Sequence, residues 1–301
     1  MRPHTKGLLI TLAGTACFTP DALLIRLIAL ESFTYAALRG TMMALGITCF
    51  LWLTLRGELW PAFRRIGRLG LLAALLNGAG GVAFIFAFAY TSVANVLLYV
   101  AVQPFIAAVL SRLLLGERIG RPVLLAMLGT FVGLGIVVTG EIGKPSLLGD
   151  GAALFAATLF AGYFTLLRKQ SHIDMGPAVA VAGVFNALLA VPFLFLLGEG
   201  LAPLLAIEGA RWQLILLSGA LLSLAMSLTA IGPRYLPAAE VSLLILLETV
   251  LGPLIVWAVL DEVPADTTLL GGAVVIGALL AHTLWNLRTP SRPAAAESAA
   301  P

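Results

Sequence analysis

The sequence predicts an all-α polytopic membrane protein, with ten transmembrane helices arranged as two inverted five-helix repeats. Three observations carry this. The 301-residue chain is 60% hydrophobic and 11% charged, with a mean hydropathy of +1.03. A soluble domain of that size charges roughly a quarter of its residues, so the solvent around most of this chain is lipid. Ten apolar runs reach the ~20 residues that a helix needs to cross a bilayer. A weak internal likeness also recurs at a constant shift of 145 positions.

The ten runs are 6–28, 33–55, 67–90, 93–115, 121–140, 147–168, 177–198, 211–234, 237–260 and 267–287. Connections are short, and the ten-residue alternation of β-barrel strands is absent. The first run follows Arg2 and Lys6. Gly7 to Ile28 is long for a cleavable leader, and Gly14-Thr15-Ala16-Cys17 lacks the leucine of a lipoprotein site, so it reads as a retained first helix. Residues 288–301, "RTPSRPAAAESAAP" from Arg288, read as a disordered cytoplasmic tail.

Orientation follows from Lys and Arg. With the N-terminus inside, fourteen basic residues face the cytoplasm, and Arg26, Lys144 and Arg211 make three outside. Arg39 falls within a span. This predicts a bacterial-type inner (plasma) membrane protein with both termini cytoplasmic. The pI near 9.1 is thereby topology, with no nucleic acid as partner. Cys17 and Cys49 lie in apolar runs at unlike depths and read as small apolar residues.

At the shift of 145, Tyr90 meets Tyr235, Ala94 meets Ala239, Val96 meets Val241, Leu98 meets Leu243, Gln103 meets Glu248 and Glu117 meets Glu262. Five spans is an odd number, so the second repeat (146–287) inserts upside down relative to the first (1–145). Inverted repeats around a midplane site are a secondary-transporter arrangement.

Polar groups inside a membrane need partners or a role, because a central charge costs at least ~2.5–3.5 kcal/mol on insertion scales. Asp21 and Arg39 both fall ~10 Å below the outer surface at 1.5 Å per residue. Their matched depth predicts an ion pair, either a structural clamp or a gate. Gln103 and Glu248 lie near the midplane of the fourth and ninth helices. The repeat places them to face one cavity, with Tyr99 a turn outward of Gln103. Glu248 is suited either to proton coupling or to holding a substrate amine. Pro104 removes a backbone hydrogen bond, as a packing kink or as part of the site. Asn77, with Gly78, Gly80 and Gly81, is either a close-packing face or an unwound, substrate-contacting turn. Tyr163 and Asn186 add polar tips for amphipathic ligands or plain interior packing. Gly129-x-x-x-Gly133 and Ala273-x-x-x-Gly277 are small-residue docking faces, within the chain or in a homodimer. Glu117 and Arg118, at a helix end, are expected to form a local salt bridge or to snorkel.

Arg39 in "YAALRGTMMAL", the run "FAYTSVANVLLYVAVQPFIAAVLSRLLLGERI" and the fifth helix "LGTFVGLGIVV" resemble the EamA-type members of the drug/metabolite transporter superfamily. The second half departs from that pattern: Thr249 follows Glu248 where proline is usual, and Asp261-Glu262-Val263 replaces Gly-Glu-Arg. The resemblance implies a central substrate cavity, alternating access and no ATP hydrolysis. It also implies export of small metabolites, amino acids with bulky apolar or aromatic side chains first among them. A lipophilic-cation exporter is the alternative, ahead of a channel or an intramembrane enzyme.

No Walker A or His-Glu-x-x-His motif is present. His4, His172 and His282 are too scattered in sequence to suggest a metal site, and Lys6, Lys144 and Lys169 all sit at span ends. No cofactor is expected.

Overall fold

A computed structural model describes residues 3–55, 57–139, 146–261 and 264–288. Lys144, Glu262 and the tail from residue 289, named above, lie outside the described residues. The first span is α1 (Pro3–Phe18) followed by α2 (Asp21–Ile28). The second is α3 (Ser32–Leu55); a short α4 (Leu59–Arg65) precedes the third, α5 (Gly67–Tyr90). The fourth divides into α6 (Val93–Val100) and α7 (Gln103–Leu115), and the fifth is α8 (Arg121–Thr139). The sixth and seventh are α9 (Leu147–Lys169) and α10 (Gly176–Leu196). A short α11 (Ala202–Leu205) leads to the eighth, α12 (Gly209–Ile231), then to a 3-10 turn, Gly232–Arg234. The ninth divides into α13 (Ala238–Ile245) and α14 (Glu248–Leu260), and the tenth is α15 (Asp266–Arg288). Ten of these spans are long and apolar enough to cross a membrane.

The broken spans correct the expectation of continuous helices over 6–28, 93–115 and 237–260. Each break is one tightened turn. In the fourth span Val102 N–H donates to the Tyr99 carbonyl (3.1 Å), an i→i−3 bond. Pro104, two residues on, has no N–H for the next helical bond. In the ninth, Leu247 N–H donates to Leu244 O (3.1 Å). No proline follows directly there. Pro253 sits inside α14 and cannot bond the Thr249 carbonyl four residues back. At the break, the Leu246 carbonyl accepts both the Thr249 N–H (3.1 Å) and the Thr249 hydroxyl (2.7 Å). In the first span Pro20 plays the same part between α1 and α2.

The ends of these halves repeat at a shift of 145: α6 maps onto α13 and α7 onto α14, residue for residue. Their exits match too. Gly116 ends α7 at φ +69°, and Asp261 ends α14 at φ +56°. Glycine adopts that left-handed conformation freely; an aspartate is among the few side chains that tolerate it.

Glycines set the tightest helix crossings. A Cβ on Gly40 of α3 would lie 2.6 Å from Ala187 N, and one on Gly183 of α10 would lie 2.6 Å from Ala44 N. The Gly129–Gly133 face of α8 packs on α15, where a Cβ on Gly271 would lie 2.3 Å from Gly133 O. That docking is intramolecular. The partner face on α15 is Gly271, Val275 and Ala278; Ala273 and Gly277 point outward, so of the two readings given for them, docking within the chain is corrected.

The two faces of the molecule differ. On the face where the chain begins, α7 and α13 pack along each other, and α13 also packs on α9. α13 buries every residue from Ala238 to Leu244, and α7 buries Gln103, Pro104, Ala107, Ala108 and Ser111. The symmetry-related pair on the opposite face, α6 and α14, shares at most marginal contact among the described residues. Leu97, Leu98, Tyr99 and Val100 of α6 are half-buried, as are Glu248, Thr249 and Leu251 of α14. The α7–α13 pair is therefore closed on the N-terminal face, and its α6–α14 counterpart is parted on the other.

Candidate functional site

Glu248 is the first residue of α14, and Asp21 is the first residue of α2, which packs against α14. Arg39, from α3, donates through Nη1 to Asp21 Oδ2, forming the expected ion pair. Glu248 lies within electrostatic range of both charges. The network continues to Tyr35, one helical turn before Arg39, whose hydroxyl lies 2.9 Å from Ser218 Oγ on α12. Four spans, the first, second, eighth and ninth, thus converge on one charged cluster. Asp21 and Arg39 pair with each other, and Glu248 adds a third titratable group beside them. Both carboxylates sit in the first turn of an outward-running half-helix, where backbone N–H groups favour negative charge.

Gln103 goes elsewhere. It is 4% exposed and donates from Nε2 to Ser242 Oγ on α13 (3.2 Å). Where the repeat leads to the expectation of a cavity shared with Glu248, Gln103 has a fixed partner and fastens the closed half. The turn between Tyr99 and Gln103 also removes the simple one-face relation expected of an unbroken helix. Tyr99 is half-buried and packs beside Ala87, Val96 and Ala153. Pro104 is buried at the start of α7, against the closed side.

Tyr163 is 1% exposed, in the main core, with its ring centroid 4.8 Å from that of Phe164. Asn186 donates to Gly78 O (3.2 Å), and its amide fills the space beside Gly81 and Gly40. α5 runs unbroken through Asn77, Gly78, Gly80 and Gly81, so these residues are a packing face and not an unwound turn. Asn77 itself is 4% exposed on that helix.

Two contacts were not foreseen. Glu117 pairs with Arg168 of α9 (2.7 Å), not with Arg118, and Arg168 also donates to Pro233 O (3.0 Å). Two of the three histidines, far apart in sequence, meet one carboxylate. His4 Nε2 is 3.1 Å and His282 Nε2 3.5 Å from Glu240, which is 1% exposed. The sequence held one signal for this: Glu240 is an acidic residue in an apolar run.

Two five-span repeats, broken at related positions beside buried charges, define an integral membrane protein of the secondary-transporter class. The chain belongs to the EamA-like transporter family, whose match covers residues 5–139 and again 147–283. A solved crystal structure superposes with a TM-score of 0.78 at 18% identity, covering 96% of this chain and 100% of that one. At that identity the likeness bears on fold alone. No curated protein matches the chain.

Proposed function

We propose that this protein exports small metabolites across a plasma membrane by alternating access, amino acids with bulky apolar or aromatic side chains first among them. The observation that carries the reading is the asymmetry of the matched half-helices: the α7–α13 pair is closed and the α6–α14 pair parted. An inverted repeat has a second state in which those roles exchange. The site lies where the exchange pivots, at the helix breaks. Glu248 offers a carboxylate to an ammonium group. Arg39 and the N–H groups opening α14 offer positive potential to a carboxylate. Together they suit a zwitterion, with the half-buried apolar residues of α6 and α14 facing its side chain.

The positive-inside bias puts the N-terminal face in the cytoplasm, so the parted side faces out. Residues 1–145 and 146–287 act as the two moving repeats. No bound cofactor enters this reading, and the surrounding bilayer is the partner of the outward-facing leucines. The Glu248 carboxyl beside an already paired Asp21–Arg39 favours a second reading, export of lipophilic cations.

Purified protein in liposomes distinguishes the two. Efflux of loaded phenylalanine or leucine, saturable and absent from empty liposomes, supports amino-acid export. Movement of a lipophilic cation without any amino acid transfers the site to the second reading. Movement of neither overturns both.

A further inference from the structure

The cluster of His4, Glu240 and His282 has no part in the substrate site. Glu240 stands in the first turn of α13, and the two imidazoles reach it from α1 and α15. One carboxylate thus ties the start of the first span to the ninth and tenth spans, across the boundary between repeats. The His4 side chain is 31% exposed and that of His282 is 0% exposed, so the cluster runs from solvent into the protein.

The repeat supplies a comparison. At the shift of 145, Glu240 corresponds to Asn95, His4 to Gly149 and His282 to Val137. The corresponding cluster on the other face joins Asn95 Nδ2 and Thr91 Oγ1 to Asp150 Oδ1, at 3.2 and 2.7 Å. It ties the fourth span to the sixth in the same way, but it is built without imidazole. The two fastenings therefore differ in their response to protons between about pH 5 and 8, where histidine changes charge.

We infer that His4, Glu240 and His282 form a proton-binding site that holds the N-terminal face closed, and that loss of its protons frees that face to open. A protonated imidazole on a buried carboxylate is a charge-assisted pair in a medium of low dielectric; a neutral one keeps at most a hydrogen bond. The fastening is thus strongest below the imidazole range and weakens as pH rises through it. Among the described residues, the charged groups on elements around α13 include Lys6, Arg112 of α7, Arg121 of α8, Arg168 and Arg234. Lys6 of α1 lies 5.2 Å over the Tyr235 ring, Arg234 binds Ile173 O and Asp174, and Arg168 of α9 binds Glu117 and Pro233 O. α7 faces α13 with Gln103, and α8 buries Ala126, Met127 and Thr130. His4 and His282 each pair with Glu240, and no cluster with metal-holding composition occurs among the described residues.

The inference rests on the alternating-access reading, but its test needs no substrate. Cys17 and Cys49 are replaced by alanine, and spin labels are placed at Leu9 and Leu284, both lipid-exposed, on the first and tenth spans. Pulsed electron–electron distances are recorded in nanodiscs from pH 5.5 to 8.5. One short distance is expected at low pH, and a longer one should grow in by about five-fold or more in population ratio as pH rises. In His4→Gln and His282→Gln the ratio should stay constant with pH. A flat profile in the parent overturns the proposal without recourse to any cluster variant. So does a pH response retained in both glutamine variants. Failure of amino-acid transport in liposomes leaves this measurement untouched, so the two readings fail separately.

Discussion

Removing Arg39 should cost more than removing Asp21, and removing both should cost less than removing Arg39 alone. In Asp21→Asn, Arg39 keeps a second carboxylate within range, Glu248. In Arg39→Gln, two carboxylates share one site with no cation between them. Breaking a fully buried pair by deleting one partner costs about 3–5 kcal/mol, and an exposed pair is worth about 0.2–1. The Arg39 and Asp21 side chains are 21% and 11% exposed, so the pair sits near the buried end of that range. We expect ~2–4 kcal/mol for Arg39→Gln and ~1–2 for Asp21→Asn, by discounting the fully buried figure for partial hydration. The double variant should fall near or below the smaller single. At about 2 °C per kcal/mol for a chain of this length, Arg39→Gln lowers Tm by roughly 4–8 °C. The assay is tryptophan-monitored thermal unfolding in detergent across all four proteins. Equal losses in the singles that simply add in the double would refute the pairing, and with it the convergence of four spans on one cluster.

Glu248→Gln keeps shape and removes charge; if it holds a substrate ammonium, Kd should rise by the equivalent of ~1.5–3 kcal/mol, read by isothermal calorimetry. Unchanged binding would make Glu248 a structural polar contact. Gly271→Ala should part α8 from α15, because the new Cβ would sit 2.3 Å from the Gly133 carbonyl. Overpacking of that kind costs about 1–3 kcal/mol, visible as a lower Tm, while Gly277→Ala, on the open face, should leave Tm unchanged. Arg168→Met strands Glu117 and the Pro233 carbonyl together and should destabilise by ~1.5–3 kcal/mol, checked by the same melts.

The spans were legible in the sequence because length and hydropathy alone decide them. The Asp21–Arg39 pair was legible because depth along a helix is a count of residues. The breaks were not. Pro104 signalled one, but the matching break at Leu246–Leu247 has no adjacent proline, and only the packing of the ninth span reveals it. Which face of each helix turns inward was equally hidden, since lipid and core are both apolar and periodicity fades. Hence Gln103 is expected at a cavity although it is bound to Ser242, and of the two readings open for Tyr163, ligand contact or interior packing, the core position is the packing one. His4 and His282 stand at opposite ends of the chain, and no local pattern joins them.

The bond between Gln103 and Ser242 has a consequence for the idle carrier. Carried by the repeat onto the other side, it becomes a contact between Glu248 and Leu97. A glutamine meets a hydroxyl when the inner side shuts, but when the outer side shuts a carboxylate would meet a leucine. That closure strands a bare charge against hydrocarbon, which is costly unless something neutralises it first. Under the alternating-access cycle proposed above, shutting outward would need a passenger, an ammonium or a proton, riding on Glu248, whereas shutting inward would need none. Such a carrier would not return empty, one mismatch between two otherwise equivalent halves closing the leak that an unladen cycle would open.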